Sequence, residues 1–207
     1  MRSSPVAAMA ASVLLRYPDP PTLAALPVVR AALAELPREL AAPLGTVVAH
    51  RETGDPTELA AEYVQLFDLR RRCCLHLTYY TAGDTRARGQ ALVEFAEAFR
   101  AAGFAVGDGE LPDYLPAVLE LAARTGEPGW ALLRGHRIGL DLLEQALTAK
   151  GPVYRPAVSA VLGMLPPAGT AELAAATRLA RNGPPREQVG LEPFVLDPTG
   201  PRVGGRR

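Results

Sequence analysis

Residues 85–103 read TRARGQALVEFAEAFRAAG, and their spacing decides the fold class. Leu92, Phe95, Ala96, Phe99 and Ala102 recur at helical steps and share one face, while Arg86, Glu94, Glu97 and Arg100 fall on the others. Gly103 is placed to end that helix in the left-handed conformation. The same period runs outward in both directions.

Towards the N-terminus it predicts helices over about Val6–Tyr17, stopped by Pro18, over about Thr22–Leu36 with a kink at Pro27, and over about Arg38–Arg51, closed by Gly54-Asp55-Pro56. A further helix starts at Pro56, with Glu58 near its positive end and Leu59, Tyr63, Leu66 and Phe67 on one face. Arg70–Gly83 reads as helix or turn followed by loop. Towards the C-terminus a helix begins near Pro112 or Asp113, buries Leu115, Val118, Leu119 and Ala122, and ends at Gly126. The period then implies one long helix over about Pro128–Lys150, followed by helices over Pro152–Leu165 and Thr170–Arg181. Strand signals are nearly absent: aromatics are 6% of the chain, and no turn dipeptide joins alternating apolar runs. The expected architecture is all-α, a single helical bundle-like domain over residues 1–182. A Gly/Pro-rich tail over 183–207 is expected to be disordered, although Leu191, Phe194, Val195 and Leu196 are apolar enough to dock.

Composition removes several function classes. The 22 basic and 22 acidic residues cancel, so the basic excess usual in nucleic-acid binding is missing. A helical DNA-binding regulator is disfavoured for that reason. The only cysteines are adjacent, Cys73 and Cys74, which excludes a disulfide scaffold and suits a reducing compartment. The apolar run Val6–Leu15 is too short for a membrane span and lacks the flanks of a signal peptide. A soluble cytoplasmic protein without direct membrane insertion is the expectation.

Enzyme motifs are missing too. There is no GxGxxG, Walker A loop, GxSxG or HExxH, and His50, His76 and His136 are scattered. No catalytic residue, metal site or cofactor is expected. Cys73 and Cys74 follow Arg70-Arg71-Arg72, and nearby guanidinium groups could depress a thiol pKa. Set against a reactive thiolate is the plainer reading that one cysteine packs inward as a small apolar residue.

A resemblance narrows the field. The segment EYVQLFDLRRRCCLHLTYY, Glu62–Tyr80, with its continuation TAGDTRARG to Gly89, resembles the signature of the NarJ-type delta-subunit chaperones of respiratory nitrate reductase. Leu111-Pro112-Asp113-Tyr114-Leu115-Pro116 resembles the Pro-Asp-His-Leu motif of the wider family of molybdenum reductase chaperones, and LLRYPD at Leu14–Asp19 also fits. Tyr114 departs from the motif's histidine, so no role of that histidine carries over. The resemblance implies a cofactor-free helical assembly chaperone, not an enzyme. Such a protein binds the N-terminal segment of the catalytic (alpha) subunit in the cytoplasm. It keeps the apoenzyme open for molybdenum cofactor insertion before membrane docking. Molybdenum cofactor biosynthesis proteins are a further expected partner class. The alternatives are a same-fold chaperone for another molybdenum reductase and, from another class, a small helical thiol enzyme.

The aromatics cluster within the family-like segments. Tyr63, Leu66, Phe67, Tyr79, Tyr80 and Leu115 are therefore the expected lining of an apolar groove that takes the client as an amphipathic helix. Asp68, Arg70, Pro112 and Tyr114 flank that lining. Clients of the family often begin with a vestigial twin-arginine-like segment, so a carboxylate is expected at the groove edge: Asp113 first, then Asp84 and Glu120. The competing reading has Asp113 merely capping its own helix. If it reads the client, Asp113→Asn is expected to leave stability nearly unchanged.

Overall fold

The computed structural model describes residues 3–107 and 109–185; the expected disorder of the tail falls, from residue 186 on, outside them. The helices are α1 (Ser3–Leu14), α2 (Pro20–Ala24), α3 (Leu26–Leu33), α4 (Arg38–Thr53), α5 (Pro56–Tyr63), α6 (Leu77–Ala82), α7 (Arg86–Ala101), α8 (Leu115–Thr125), α9 (Glu127–Gly135), α10 (Arg137–Lys150), α11 (Arg155–Gly163) and α12 (Thr170–Asn182). Among the described residues there is no strand, only an isolated antiparallel bridge between His76 and Tyr114. No helix of the described residues is long and apolar enough to cross a membrane.

The centre is α1 against α8, with α4 and α11 completing the packing. Ala7, Ala8, Ala10 and Ala11 give α1 a flat buried face, and small side chains let α8 approach closely with Leu115, Val118, Leu121 and Ala122. Ser12 Oγ donates to the Pro116 carbonyl at 2.7 Å inside this contact. Buried polar groups need such partners, because an unsatisfied one costs about 1–3 kcal/mol. Helix α9 also packs on α8. A Cβ at Gly129 would overlap the Ala122 backbone, so glycine is required there.

Local chemistry explains most helix starts. Asp19 accepts from the Thr22 N–H at 2.8 Å and caps α2, behind which Pro20 supplies a preset φ. Asp55 does the same for α5 through Thr57 and Glu58, ahead of Pro56. Pro116 sits in the first turn of α8, as its position in the sequence implies.

Several helices differ from the expected bounds. Helix α1 stops at Leu14, not Tyr17, and side chains from elsewhere take carbonyls at and just beyond its end. Arg51 donates to Val13 and Arg16, and the Tyr63 hydroxyl donates to Leu15 at 3.0 Å. The kink expected at Pro27 is a full break at Ala25, with Pro27 in the first turn of α3. After Tyr63 the chain widens into a π turn, Val64–Asp68, with Leu69 N–H bonded to the Val64 carbonyl. That turn puts consecutive residues, Leu66 and Phe67, both inside. The single helix expected over Pro128–Lys150 is two, α9 and α10, parted at His136. Gly135 lowers the cost of leaving the helix there. His136 Nδ1 turns back to the Leu132 carbonyl at 3.1 Å, and its ring packs edge-on against Phe95 at 4.6 Å. The break lets α9 pack on α8 and α7, while α10 crosses α6, α11 and α12.

Candidate functional site

The two segments that carry the resemblance are stitched together. Leu77 N–H donates to the Asp113 carbonyl at 3.0 Å, and Leu115 N–H donates to the Leu75 carbonyl at 2.8 Å. The Asp113 carboxylate is fully buried between them. It accepts from His76 Nδ1 at 3.0 Å, from Thr78 Oγ1 at 2.6 Å and from Thr78 N–H at 3.2 Å, with Arg88 Nη2 at 3.9 Å. Burial alone would raise its pKa, but these hydrogen bonds outweigh burial and hold the carboxyl below its ordinary value. Asp113 is thus a cap, though not of its own helix: it closes the start of α6, while α8 begins at Leu115, behind Tyr114 and without a side-chain cap. With both carboxylate oxygens hydrogen-bonded and no exposed surface, it is not at a groove edge. Tyr114, in the place of the motif's histidine, has its hydroxyl 2.9 Å from that of Tyr63. Tyr63 gives its only proton to Leu15, so Tyr114 is the donor of that pair.

Tyr63, Leu66, Phe67 and Leu115 are core, at most 4% exposed. Phe67 lies against Tyr63 and Tyr154, with ring centroids 4.7 Å and 5.2 Å away. Withdrawing one such side chain to meet a ligand forfeits roughly 1.5–3 kcal/mol, so their place is behind the surface. Pro112 is half-buried beside Asp113, and Asp68 is exposed at the end of the π turn. Glu120 is held by Arg16 at 2.7 Å and Arg124 at 2.8 Å. It borders a separate cavity of about 330 Å³ near Phe99 and Phe104.

Arg70, Tyr79 and Tyr80 do come together, on a concavity of about 530 Å³. One wall is the 3-10 turn Arg71–Cys73 and α6; the others are α10 (Leu142, Gln145, Ala146, Ala149, Lys150) and the end of α12 (Leu179, Ala180). The floor is apolar and the rim carries Arg70, Arg71, Arg72 and Lys150. Tyr80 supports the rim from beneath, its hydroxyl 2.8 Å from the Cys74 carbonyl and 3.1 Å from that of Arg72. Asp84 is outside the lining; it is exposed, 3.6 Å from Arg71 of the rim and 3.5 Å from Arg88. The α10 and α12 walls escape a reading based on family-like segments. A signal existed: Leu142, Ala146 and Ala149 form a second apolar stripe beside the buried one of Leu140, Leu143 and Leu147.

The cysteines do not fit a reactive pair. Cys73 is fully buried, and burial raises its pKa against the pull of Arg70 and Lys150. Burial pushes the Cys74 thiol up to about 11, so at neutral pH it is overwhelmingly the poorly nucleophilic thiol. His136 is half-buried, and burial lowers its pKa. Among the described residues no group of three or more His, Cys, Asp or Glu is arranged to hold a metal ion.

An all-helical domain that presents an apolar concavity beneath a basic rim is the class this architecture defines. The chain belongs to the nitrate reductase delta subunit family, whose sequence model matches residues 28–156. It is 43% identical over 152 residues to the nitrate reductase-like protein NarX of Mycobacterium tuberculosis, across 73% of this chain and 23% of that protein. It is 35% identical over 115 residues to the probable nitrate reductase molybdenum cofactor assembly chaperone NarJ of Bacillus subtilis, across 55% of this chain and 62% of that one. With the nitrate reductase molybdenum cofactor assembly chaperone NarJ of Escherichia coli it shares 38% identity over 94 residues, across 45% and 40% of the two chains. The matches thus span less than two thirds of each of these relatives.

Proposed function

We propose that this protein is a non-catalytic cytoplasmic assembly chaperone for respiratory nitrate reductase. It binds the N-terminal segment of the catalytic subunit and keeps the apoenzyme open for molybdenum cofactor insertion before membrane docking; cofactor biosynthesis proteins are its second partners. The observation that carries this reading is that Arg70–Tyr80, the heart of the segment resembling NarJ-type chaperones, contributes a wall of the apolar concavity of about 530 Å³. The client segment lies there as an amphipathic helix, its apolar face on Tyr79, Leu142, Ala146 and Leu179. Asp84 is the carboxylate for the client's arginine, since it is exposed beside Arg71 of this rim, whereas Asp113 is enclosed and Glu120 borders a separate cavity. Tyr63, Leu66, Phe67 and Leu115 act from behind, by holding the π turn and α6 in place.

Three buried anchors contribute roughly 5–9 kcal/mol gross, which lost rigid-body freedom of about 4–15 kcal/mol largely offsets. The resulting affinity is roughly micromolar, helped by backbone and polar contacts. Calorimetry with a peptide of the client's N-terminal residues is the test. A negative heat-capacity change is expected, with binding weakened about tenfold by Tyr79→Ala and by Asp84→Asn. A heat-capacity change near zero, with binding lost in modest salt, overturns the apolar groove.

A further inference from the structure

The concavity between α6, α10 and α12 is lined by the cations Arg70, Arg71, Arg72 and Lys150 and by no carboxylate. All of these cations are exposed. Among the described residues Arg71 pairs with Asp84, whereas Arg70, Arg72 and Lys150 have no carboxylate partner. Elsewhere on the described surface arginines commonly find one. Arg16 and Arg124 share Glu120, Arg30 meets Glu52, Arg134 meets Glu127 and Arg155 meets Glu144. In a chain whose charges cancel overall, the rim is a local excess.

Two glycines fix how α10 runs along this wall. A Cβ at Gly139 would press on Tyr80 of α6, and one at Gly151, just past the helix end, would overlap Leu66 of the π turn. The wall therefore leads from α6, near Leu142, to the π turn, near Lys150. Between those two residues it rises about 12 Å, just over two helical turns. Arg72 belongs to the α6 side, where its carbonyl accepts from the Tyr80 hydroxyl. Arg70 and Lys150 belong together, since both act on the charge of the buried Cys73. The floor between these cations, Tyr79, Leu142, Ala146 and Leu179, carries no charge. Like charges gathered beside an apolar floor repel one another, and water screens them less there than on an open surface. A basic partner adds to that repulsion, and an acidic one relieves it.

We propose that the segment taken by this concavity is acidic: an amphipathic helix of at least two turns, its apolar stripe on the floor and carboxylates on its flanks against Arg70, Arg72 and Lys150. The proposal rests on the reading of the concavity as the client site, and it gives the client a charge pattern. One arginine is served by Asp84, and the rest of the contact calls for glutamate or aspartate. The apolar floor supplies the hold, while the rim selects among amphipathic helices by their flanking charge.

The test titrates two labelled helical peptides into the full chain. They share one leucine stripe; one has glutamates on both flanks and the other lysines. The glutamate peptide is expected to bind roughly tenfold more tightly, three weak exposed pairs acting together. Its affinity should fall as salt rises, while that of the lysine peptide rises. Combining Arg70→Glu, Arg72→Glu and Lys150→Glu, all at exposed positions, should invert the preference with helicity by circular dichroism unchanged. Equal binding of the two peptides, opposite salt trends, or a preference that survives the charge reversal overturns the proposal. The salt trends decide it in the parent chain even if the triple variant fails to fold. A peptide of the client's N-terminal residues separates this inference from the client reading. Competition with the glutamate peptide, and a loss of roughly tenfold in the triple variant, supports both. A client peptide weakened by Tyr79→Ala and indifferent to the charge reversal overturns the acidic chemistry and leaves the concavity as the client site. A client peptide that neither binds nor competes, while the glutamate peptide behaves as expected, leaves the acidic preference standing and overturns the client reading.

Discussion

Asp113 shows how one side chain can join two distant stretches. It accepts three hydrogen bonds from His76 and Thr78 while wholly buried. Hydrogen bonds to a charged group are worth about 1.5–3 kcal/mol each at most, and orphaning their donors costs more than the bonds contribute. Asp113→Ala is therefore expected to lower the unfolding free energy by about 3 kcal/mol. Asp113→Asn should lose only about 1 kcal/mol, because its amide oxygen can still face Thr78 while its NH2 faces His76. Since its pKa in the fold lies below the ordinary value of 3.8, the Asp113 contribution is fully present above about pH 4 and is lost as the pH falls through the folded value. Urea denaturation of the three proteins between pH 3 and 7 measures both effects, and the Ala variant should have the flatter acid limb. Unchanged stability in Asp113→Ala would contradict the capping geometry.

At the scale of elements, two glycines of the family-like segment have opposite meanings. Gly89 lies inside α7, exposed, with nothing within 4 Å of a would-be Cβ. Gly89→Ala should stabilise the protein by about 0.5–1 kcal/mol through helix propensity alone. Gly83 ends α6 at positive φ under the Pro185 carbonyl, so Gly83→Ala should destabilise by more than about 1 kcal/mol. Thermal unfolding of the pair decides it: shifts of the same sign would mean that one of the two local geometries is wrong. Sequence spacing placed α7, α8 and α11 well, since each has a stripe that reaches the core. It could not part α9 from α10, because the apolar period continues across Gly135-His136 while the backbone does not.

For the molecule as a whole, packing is uneven. Helices α1, α4, α8 and α11 share the core, whereas α12 packs chiefly on α10 and keeps Leu173 53% exposed. Helices with few buried contacts open locally at low cost. Amides of α12 should thus exchange with solvent much faster than those of α8 and α11. A peptide seated in the concavity should slow exchange at Leu179–Gly183, which line it. Hydrogen exchange by mass spectrometry reads both; protection of α12 equal to that of α8, or no slowing with a bound peptide, would count against this view of the groove.

The all-helical class was legible from residues 85–103 alone, because a helix satisfies its own backbone and needs only one apolar face. The capping residues Asp19 and Asp55 and the helix-starting prolines were equally local matters. The site was legible only in part. Arg70, Tyr79 and Tyr80, expected from the sequence to contact a client, meet on one concavity, whose other walls, Leu142, Ala146 and Leu179, come from segments far along the chain. Nor does sequence spacing tell an aromatic that lines a groove from one that supports it. Tyr63 and Phe67 lie in the same segment as Tyr79, and burial alone separates their roles. The same holds for Asp113, whose partners His76 and Thr78 belong to another helix start. Periodicity carries information about neighbours along a helix. Which side chains end up enclosed depends on how helices cross, and that follows from close packing of the whole core.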